Sequence, residues 1–483
     1  MGEERGSCPG CRERDARITA LEKQVADLLA EVRDVKSRLK LNSSKSSRPP
    51  SSDIVTQPRP KPESSGRKPG GQPGHEAHNR PLLPPDRVDS TVVVLPQQCG
   101  RCSRPLVPPA GAPEDLPQRH QVVDIPAAPA FVTEWRLHAL VCGDCGATTR
   151  AELPPGVPEG CAGARFQAIL ALLTGRFRLS RREAGEVAET IFGEKAAVSD
   201  GAIVDMEKRT SAALKPAYDQ ALEAVRKDGV VNADETGWRF KGKKAWLWIA
   251  ATALIAVFRI DKNRSKAAWQ RFLGGFAGIL CTDRYAAYAD HALHLRQVCW
   301  AHFKRDIQAL VDAGATAVDA GRCGLRFVTR LFAVWRDFKA HKIDRAGLRM
   351  KAFDIKADFG RWRARAAKCA DRRASSLARQ LDRVKPALFT FLEHEGVEPT
   401  NNRAERGLRP AVLWRKGSFG TNSEDGNRFV ERMLTAAQTL RLQGRSVLDF
   451  VEQTIRAHAI GHATPSLLPA VQSPAENPLA VTA

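Results

Sequence analysis

Two acidic residues close short apolar runs in this chain. Asp234 follows Val230-Val231-Asn232-Ala233, and Asp283 follows Gly278-Ile-Leu-Cys-Thr282. A carboxylate delivered at the end of a buried strand can face solvent, substrate or a metal ion. Mg²⁺ takes a few carboxylate oxygens and leaves the rest of its octahedron to water and substrate phosphate. Two acids on adjacent strands therefore begin a hard-cation site, and a third acid would complete it. Glu405 in Asn401-Asn-Arg-Ala-Glu405 is one candidate, but spacing alone does not separate it from Glu398 or Glu431. Glu405 also stands three places after Asn402, the spacing of a helix-capping box. Two ions held by such acids activate a water or a 3′-hydroxyl and stabilise the leaving oxygen of an in-line phosphodiester displacement. An isolated Asp-Glu at a strand end is ordinary surface decoration, so the partners decide the case. Glu235 carries no assigned role.

Four cysteines offer a second kind of site. Cys99-Gly-Arg-Cys102 and Cys142-Gly-Asp-Cys145 supply four thiolates, the ligand set of a closed tetrahedral zinc centre. The stretch between the pairs exceeds the ~15–20 residues usual in a zinc ribbon. A hairpin built from Thr91–Leu95 and Phe131–Val141 is expected to fill it. Redox chemistry needs one such pair rather than two, and reduced free thiols are the plainer reading. Cys8-x-x-Cys11 stands alone and is left unassigned.

The elements that must position the acids follow from periodicity. Val230–Ala233, Ala245–Thr252 and Leu254–Ile260 read as three strands in a meander. A helix over Ser265–Leu273, a strand ending at Asp283, a strand over Leu295–Trp300 and a helix from His302 come next. That order is an α/β layout with a mixed sheet. Residues 303–395 are helical and basic. Upstream, Arg165 to Leu214 reads as short helices, the second capped by Ser180 and the third opened by Ser199. The second and third fit a helix-turn-helix, with Lys195, Ser199 and Asp200 towards the groove; a plain helical connector is the alternative. At the start, Ile18, Leu21, Val25, Leu28, Val32, Val35 and Leu39 alternate steps of three and four. With β-branched residues at a and leucines at d, this predicts a parallel two-stranded coiled coil and hence a homo-oligomer. Residues 42–89 are too poor in aliphatics to fold and read as a basic linker; the Pro- and Ala-rich 463–483 reads as a disordered tail.

Composition narrows the partners. The 483 residues include 75 Lys+Arg against 54 Asp+Glu, a net charge of +21, which points to a polyanionic partner, nucleic acid first and an anionic membrane surface second. The start, Met1-Gly-Glu-Glu-Arg-Gly, is polar and shows no secretory signal. The longest apolar stretch, Ala245 to Phe258, falls short of the ~18 residues of a membrane span. Eleven scattered cysteines fit metal binding in a reducing cytoplasm better than a disulfide framework.

Several segments, in order, carry a resemblance. They are the zipper, Asn42-Ser-Ser-Lys-Ser-Ser-Arg-Pro-Pro-Ser-Ser-Asp53, Gly70-Gly-Gln-Pro-Gly-His75 and the two cysteine pairs. Asp234-Glu-Thr-Gly-Trp-Arg239, Thr282-Asp-Arg-Tyr-Ala-Ala-Tyr288, Cys299-Trp-Ala-His302 and Asn401-Asn-Arg-Ala-Glu-Arg406 with Leu408-Arg-Pro410 complete the set. Together they resemble the insertion-sequence-66 family of bacterial DDE transposases over nearly the whole chain. The match departs at Lys304-Arg305-Asp306, where the family is richer in arginine, and no acid is missing. The resemblance implies an RNase H-like core whose acids are Asp234, Asp283 and Glu405, using Mg²⁺ or Mn²⁺ to cut and join DNA. The partners it implies are element ends, target DNA and small accessory proteins of the same element, in the bacterial cytoplasm at the nucleoid.

The fold expected is therefore multidomain α/β. It has a coiled coil (1–41), a linker (42–89), a zinc-binding module (90–155), a helix-turn-helix region (160–220) and an RNase H-like core (228–462) with a helical insertion at 303–395. The function expected is a transposase that binds terminal inverted repeats and performs strand cleavage and transfer. A catalytically inactive DNA-binding regulator derived from one is the alternative. A tyrosine recombinase is disfavoured, because Tyr218, Tyr285 and Tyr288 are the only tyrosines and none lies towards the C-terminus. His302 is an auxiliary beside the acids or a packing residue.

Overall fold

The computed structural model describes residues 9–39, 82–107, 119–158, 160–313 and 317–469. The chain divides into two compact units, Pro58–Pro129 and the remainder. In the first, Cys99 opens a tight turn: its N–H donates to the Arg104 carbonyl, and Ser103 N–H donates back to Cys99, both at 2.9 Å. Thr91–Leu95 forms no strand among the described residues, contrary to the expected hairpin. Its Val92, Val93 and Val94 are exposed.

The second unit begins with α1 (Pro9–Leu39), whose Ile18, Leu21, Val25 and Leu28 are each 53–59% exposed. Residues 40–41 of the expected coil, the 42–81 part of the linker, Cys8 and most of the tail lie outside the described residues. β1 (Ala139–Val141) and β2 (Thr148–Arg150) form a short hairpin around Cys142 and Cys145. The ladder stops at Ala139, so the rest of the Phe131–Val141 run is not strand. α2 (Ala164–Gly175), α3 (Arg181–Phe192) and α4 (Asp200–Lys227) follow. Ser180 Oγ accepts from Glu183 N–H while the Glu183 carboxylate accepts from Ser180 N–H, a complete capping box. Ala184, Ala188, Ile203 and Met206 close a small core between these helices. α4 runs on past Leu214 because Ala217, Tyr218, Ala221 and Val225 pack onto the sheet, and that contact carries the helix through Pro216.

The sheet has five strands: β3 (Val230–Phe240), β4 (Lys243–Ala251), β5 (Ala256–Asp261), β6 (Ile279–Thr282) and β7 (Arg296–Val298). Their order is β5-β4-β3-β6-β7. β3, β4 and β5 are antiparallel; β6 and β7 run parallel to β3, with α5 (Lys266–Leu273) crossing over before β6. β3 does not end at Asp234 or break at Gly237. β4 pairs with it as far as Phe240, and the chain turns at Lys241-Gly242, both at positive φ. Gly237 leaves room for Arg415, whose Nη1 lies 3.2 Å from where a Cβ would stand and donates to the Gly237 carbonyl.

The remaining helices are α6 (Trp300–Asp312), α7 (Val318–Lys339), α8 (Arg345–Ala367), α9 (Arg372–Arg383), α10 (Asn402–Ser418), α11 (Glu424–Leu442) and α12 (Val447–Ala459). α6 starts at Trp300, so the strand expected over Leu295–Trp300 shortens to Arg296–Val298. α6 to α9 enclose a second core around Trp300, Phe303, Phe327, Phe359 and Trp362. Among the described residues, no helix is long and apolar enough to cross a membrane.

The outer edge of β5 is covered by a helix rather than a strand. Glu431, Thr435 and Thr439 on α11 accept from the N–H groups of Ile260, Phe258 and Ala256, at 2.7, 3.1 and 3.0 Å. Four residues of helix rise ~6 Å and two of strand ~6.7 Å, so successive side chains meet successive edge donors. Burial pushes the Glu431 carboxyl up to about 7 from its ordinary 4.5, against the pull of Arg428. An acid raised by folding contributes stability that is complete below its unfolded value and is lost as pH rises through its folded value. Glu431→Gln keeps an acceptor for Ile260 and cannot ionise. Relative to the parent, the variant should gain ~2–3 kcal/mol between pH 4.5 and 8, read from unfolding curves at the two pH values. An unchanged difference would contradict this account of the edge.

Candidate active site

The parallel register of β3 and β6 sets Val230 beside Ile279, Val231 beside Leu280 and Asn232 beside Cys281. Carried two residues further, the same register puts Asp234 beside Asp283, just past the end of β6. Asp234 Oδ1 accepts from Glu235 N–H at 2.9 Å, and Asp283 Oδ1 accepts from Tyr285 N–H at 2.8 Å. Each carboxylate keeps oxygen lone pairs for another partner.

Glu405 stands in the first turn of α10. The helix begins one residue earlier than a capping box from Asn402 would need: Asn401 is the N-cap and makes no side-chain cap bond. The Glu405 carboxylate instead meets Arg305 Nη2, at 3.2 and 3.3 Å, and His302 Nδ1 at 3.4 Å, both from α6. Among the described residues, Cys299, His302 and Glu405 form the one group of three potential metal ligands whose donor atoms all lie within 4.8 Å. Glu431 is committed to the β5 edge, and Glu398 lies 3.9 Å from Lys339. Of the three candidate third acids, Glu405 is the one whose charge reaches Asp234.

Electrostatics show the crowding. The Asp234 carboxyl is pushed well above the usual carboxylate range, by burial first, then by Glu235 and Asp283, with Glu405 adding to it. Burial, then Arg305, lowers the His302 pKa and keeps its imidazole neutral. A buried carboxyl crowded by neighbouring acids suits a divalent cation of the Mg²⁺ class, although the donor atoms of Asp234, Asp283 and Glu405 do not all lie within 4.8 Å of one another in this structure. The residues present therefore fit the metal that the acid pattern implies.

Glu235 points to the opposite face of β3 and is buried. It accepts from Arg264 Nε at 2.7 Å, from Arg264 Nη2, and from the Tyr288 hydroxyl. Arg264 lies over the rings of Trp246 and Tyr285, at 4.8 and 3.7 Å. Burial and the neighbouring Asp283 push Glu235 up to about 7 despite its arginine.

Cys99 and Cys102 lie in one compact unit, Cys142 and Cys145 in the other. Each pair folds into the same kind of turn, Cys142 N–H donating to Ala147 and Gly146 N–H to Cys142, both at 2.9 Å. Turn N–H groups lower the thiol pKa of Cys99, chiefly through Arg101 and Cys102, and of Cys142, through Cys145 and Asp144. Lys195, Ser199 and Asp200 are exposed, and Ser199 Oγ caps α4 by accepting from Ala202 N–H.

Sequence reasoning passed over Asn232, Cys299, Arg305 and Asn401 as individual side chains. A polar residue inside Val230-Val231-Asn232-Ala233 was the visible sign for Asn232. Nothing in spacing pointed to Arg305 or Cys299.

A mixed sheet flanked by helices fits a transposase catalytic domain. Residues 187–428 match the family described as Transposase IS66 family, and the chain belongs to that family. Residues 7–81 match a family of unknown function, DUF6444. Two proteins of Sinorhizobium fredii (strain NBRC 101917 / NGR234) are similar. Uncharacterized protein y4qI is 29% identical over 278 residues, 51% of this chain and 51% of its own length. Uncharacterized protein y4hP is 24% identical over 411 residues, 74% of this chain and 70% of its own. The chain thus spans about half the length of the first of these relatives. Asp234, Asp283 and Glu405 all fall inside the family match.

Proposed function

We propose that this chain is a DNA transposase that cuts at the ends of its element and joins the freed ends to target DNA. What supports the reading most is the parallel register of β3 and β6, which extended by two residues sets Asp234 beside Asp283, together with the influence of both Asp283 and Glu405 on the Asp234 carboxyl. Strand order β5-β4-β3-β6-β7, antiparallel then parallel, supports an RNase H-like core. The helices α6 to α9 between Asp283 and Glu405 are then its insertion.

In this reading Asp234, Asp283 and Glu405 present carboxylate oxygens to Mg²⁺ or Mn²⁺. The bound ions supply charge that activates the attacking oxygen and stabilises the leaving one. Water attacks the phosphorus at the element end and releases a 3′-hydroxyl; that hydroxyl then attacks a target phosphodiester in line, displacing its 3′-oxygen. Neutral His302 is available to accept a hydrogen bond beside Glu405. Arg305, paired with Glu405 here, is placed to meet a phosphate once the acid takes a different partner. The +21 charge serves the DNA backbone, through α3, α4 and the basic insertion.

The test uses the purified chain, a duplex carrying the element's ends, and Mg²⁺ or Mn²⁺. Metal-dependent nicking that leaves 3′-hydroxyl ends is expected. Binding of the ends without cleavage identifies the inactive regulator instead.

Two further assignments accompany this one. The exposed apolar seam of α1 pairs with that of a second copy as a parallel coiled coil. Cys99, Cys102, Cys142 and Cys145 hold one structural zinc, in keeping with their matching turns and lowered thiols. Elemental analysis should find ~1 zinc per chain, and a zinc-free folded protein would refute the assignment.

A further inference from the structure

Asn401 and Asn232 are among the most deeply buried polar side chains near the acids, at 1% and 3% exposure. A buried amide left unpaired is penalised, so its partners define one arrangement and disfavour others. Asn401 occupies the N-cap of α10 yet turns its side chain away from the helix. Its Nδ2 donates to the Ala233 carbonyl at 2.7 Å, and its Oδ1 accepts from Asn232 Nδ2 at 3.0 Å. Its backbone N–H donates to Cys299 Sγ at 3.2 Å. Asn232 Oδ1 in turn accepts from Arg403 of α10 at 3.3 Å.

Each partner sits next to a carrier of the site. Ala233 precedes Asp234 in β3. Cys299 is the N-cap residue of α6, which bears His302 and Arg305, and its N–H donates to the carbonyl of Thr282, the residue before Asp283, at 2.9 Å. One asparagine at the start of α10 is therefore bonded to β3 directly, and to the end of β6 through Cys299. Arg415 fixes the far end of α10 to the Thr236 hydroxyl and the Gly237 carbonyl of β3, and Asn401 fixes its start, where apolar packing alone tolerates small shifts that directed hydrogen bonds do not.

We propose that Asn401, braced by Asn232, is a positioning residue that locks the start of α10 to β3. The lock fixes the turn of α10 that carries Glu405 against the segment of β3 that carries Asp234, so that both acids would be available to one divalent cation. This rests on the reading of those acids as metal ligands. Outer residues that orient ligands change metal affinity by ~10–100-fold when removed.

The test measures Mn²⁺ binding to the full-length chain by electron paramagnetic resonance of the free ion, alongside cleavage at graded Mn²⁺. Asn401→Ala and Asn232→Ala should each weaken Mn²⁺ binding ~10–100-fold. Their cleavage should recover at high Mn²⁺, while that of Asp234→Asn should not. The double variant should lose little more than either single one, because both break one lock. If Asn401→Ala does not fold, by circular dichroism, Asn401→Ser and Asn232→Ala carry the measurement. Parent-like Mn²⁺ affinity in a folded Asn variant, with Asp234→Asn weakened, overturns the lock alone. Parent-like affinity in Asp234→Asn as well overturns the metal-ligand reading beneath it.

Discussion

Asp234→Asn should abolish strand cleavage while leaving DNA binding intact. The substitution preserves shape and keeps Oδ1 as the acceptor for Glu235 N–H, so β3 is undisturbed. What is lost is the negative charge offered to the metal. Charge stabilisation by a bound ion is worth several kcal/mol, and each 1.36 kcal/mol is a factor of ten in rate, so a fall of ~10³-fold or more is expected. A second effect has the opposite sign. Asp234 is held among Glu235, Asp283 and Glu405 in a buried position, which disfavours its charged form. Neutral Asn escapes that repulsion, so in metal-free buffer the variant should melt at a higher temperature than the parent. Function kept at a cost in stability is the expected relation for such a cluster. A gel assay of end cleavage, a binding titration and a thermal scan check the three parts.

Trp300→Ala should be the most damaging change away from the acids. Trp300 is fully buried, and its indole Nε1 donates to the Leu388 carbonyl at 2.5 Å. Its ring meets Phe303, Phe327, Phe359 and Phe389 with centroids 5.2–6.4 Å apart. Removing it opens a cavity at the centre of the second core and leaves the buried Leu388 carbonyl with Gln297 Nε2 alone, at ~3–5 kcal/mol. α6 starts at this residue, so His302 and Arg305 would move with it. By contrast Phe353→Ala, at a position 73% exposed, should change stability by less than ~0.5 kcal/mol. Chemical denaturation of the two variants side by side makes the comparison; a Trp300→Ala loss below ~1 kcal/mol would contradict the packing described here.

Periodicity was enough to read the sheet's strands and the helices around them, because the apolar runs are those that the two cores bury. Strand ends were not legible. Gly237 looks like a breaker, but β4 lends β3 hydrogen bonds beyond it, and Arg415 uses the space the glycine leaves. Thr91–Leu95 has the composition of a strand and no partner strand among the described residues. Within the site, Asp234 and Asp283 announce themselves because each ends an apolar run. Glu405 does not, since helical acids are common and Glu431 has an equal claim until the β5 edge accounts for it. Family resemblance singled out Glu405 where spacing could not. The side-chain bonds of Asn232 and Asn401 cross about 170 residues of sequence, beyond the reach of any local pattern.

The most direct test of the central claim is to locate the metal. Crystals of the full chain soaked in Mn²⁺ should show anomalous scattering at an ion bound jointly by Asp234 and Asp283, ~2.1 Å from a carboxylate oxygen of each. Glu405 should have left Arg305 to face it. An ion bound elsewhere, with Asp234 and Asp283 uncoordinated in protein that cleaves DNA, would contradict the account.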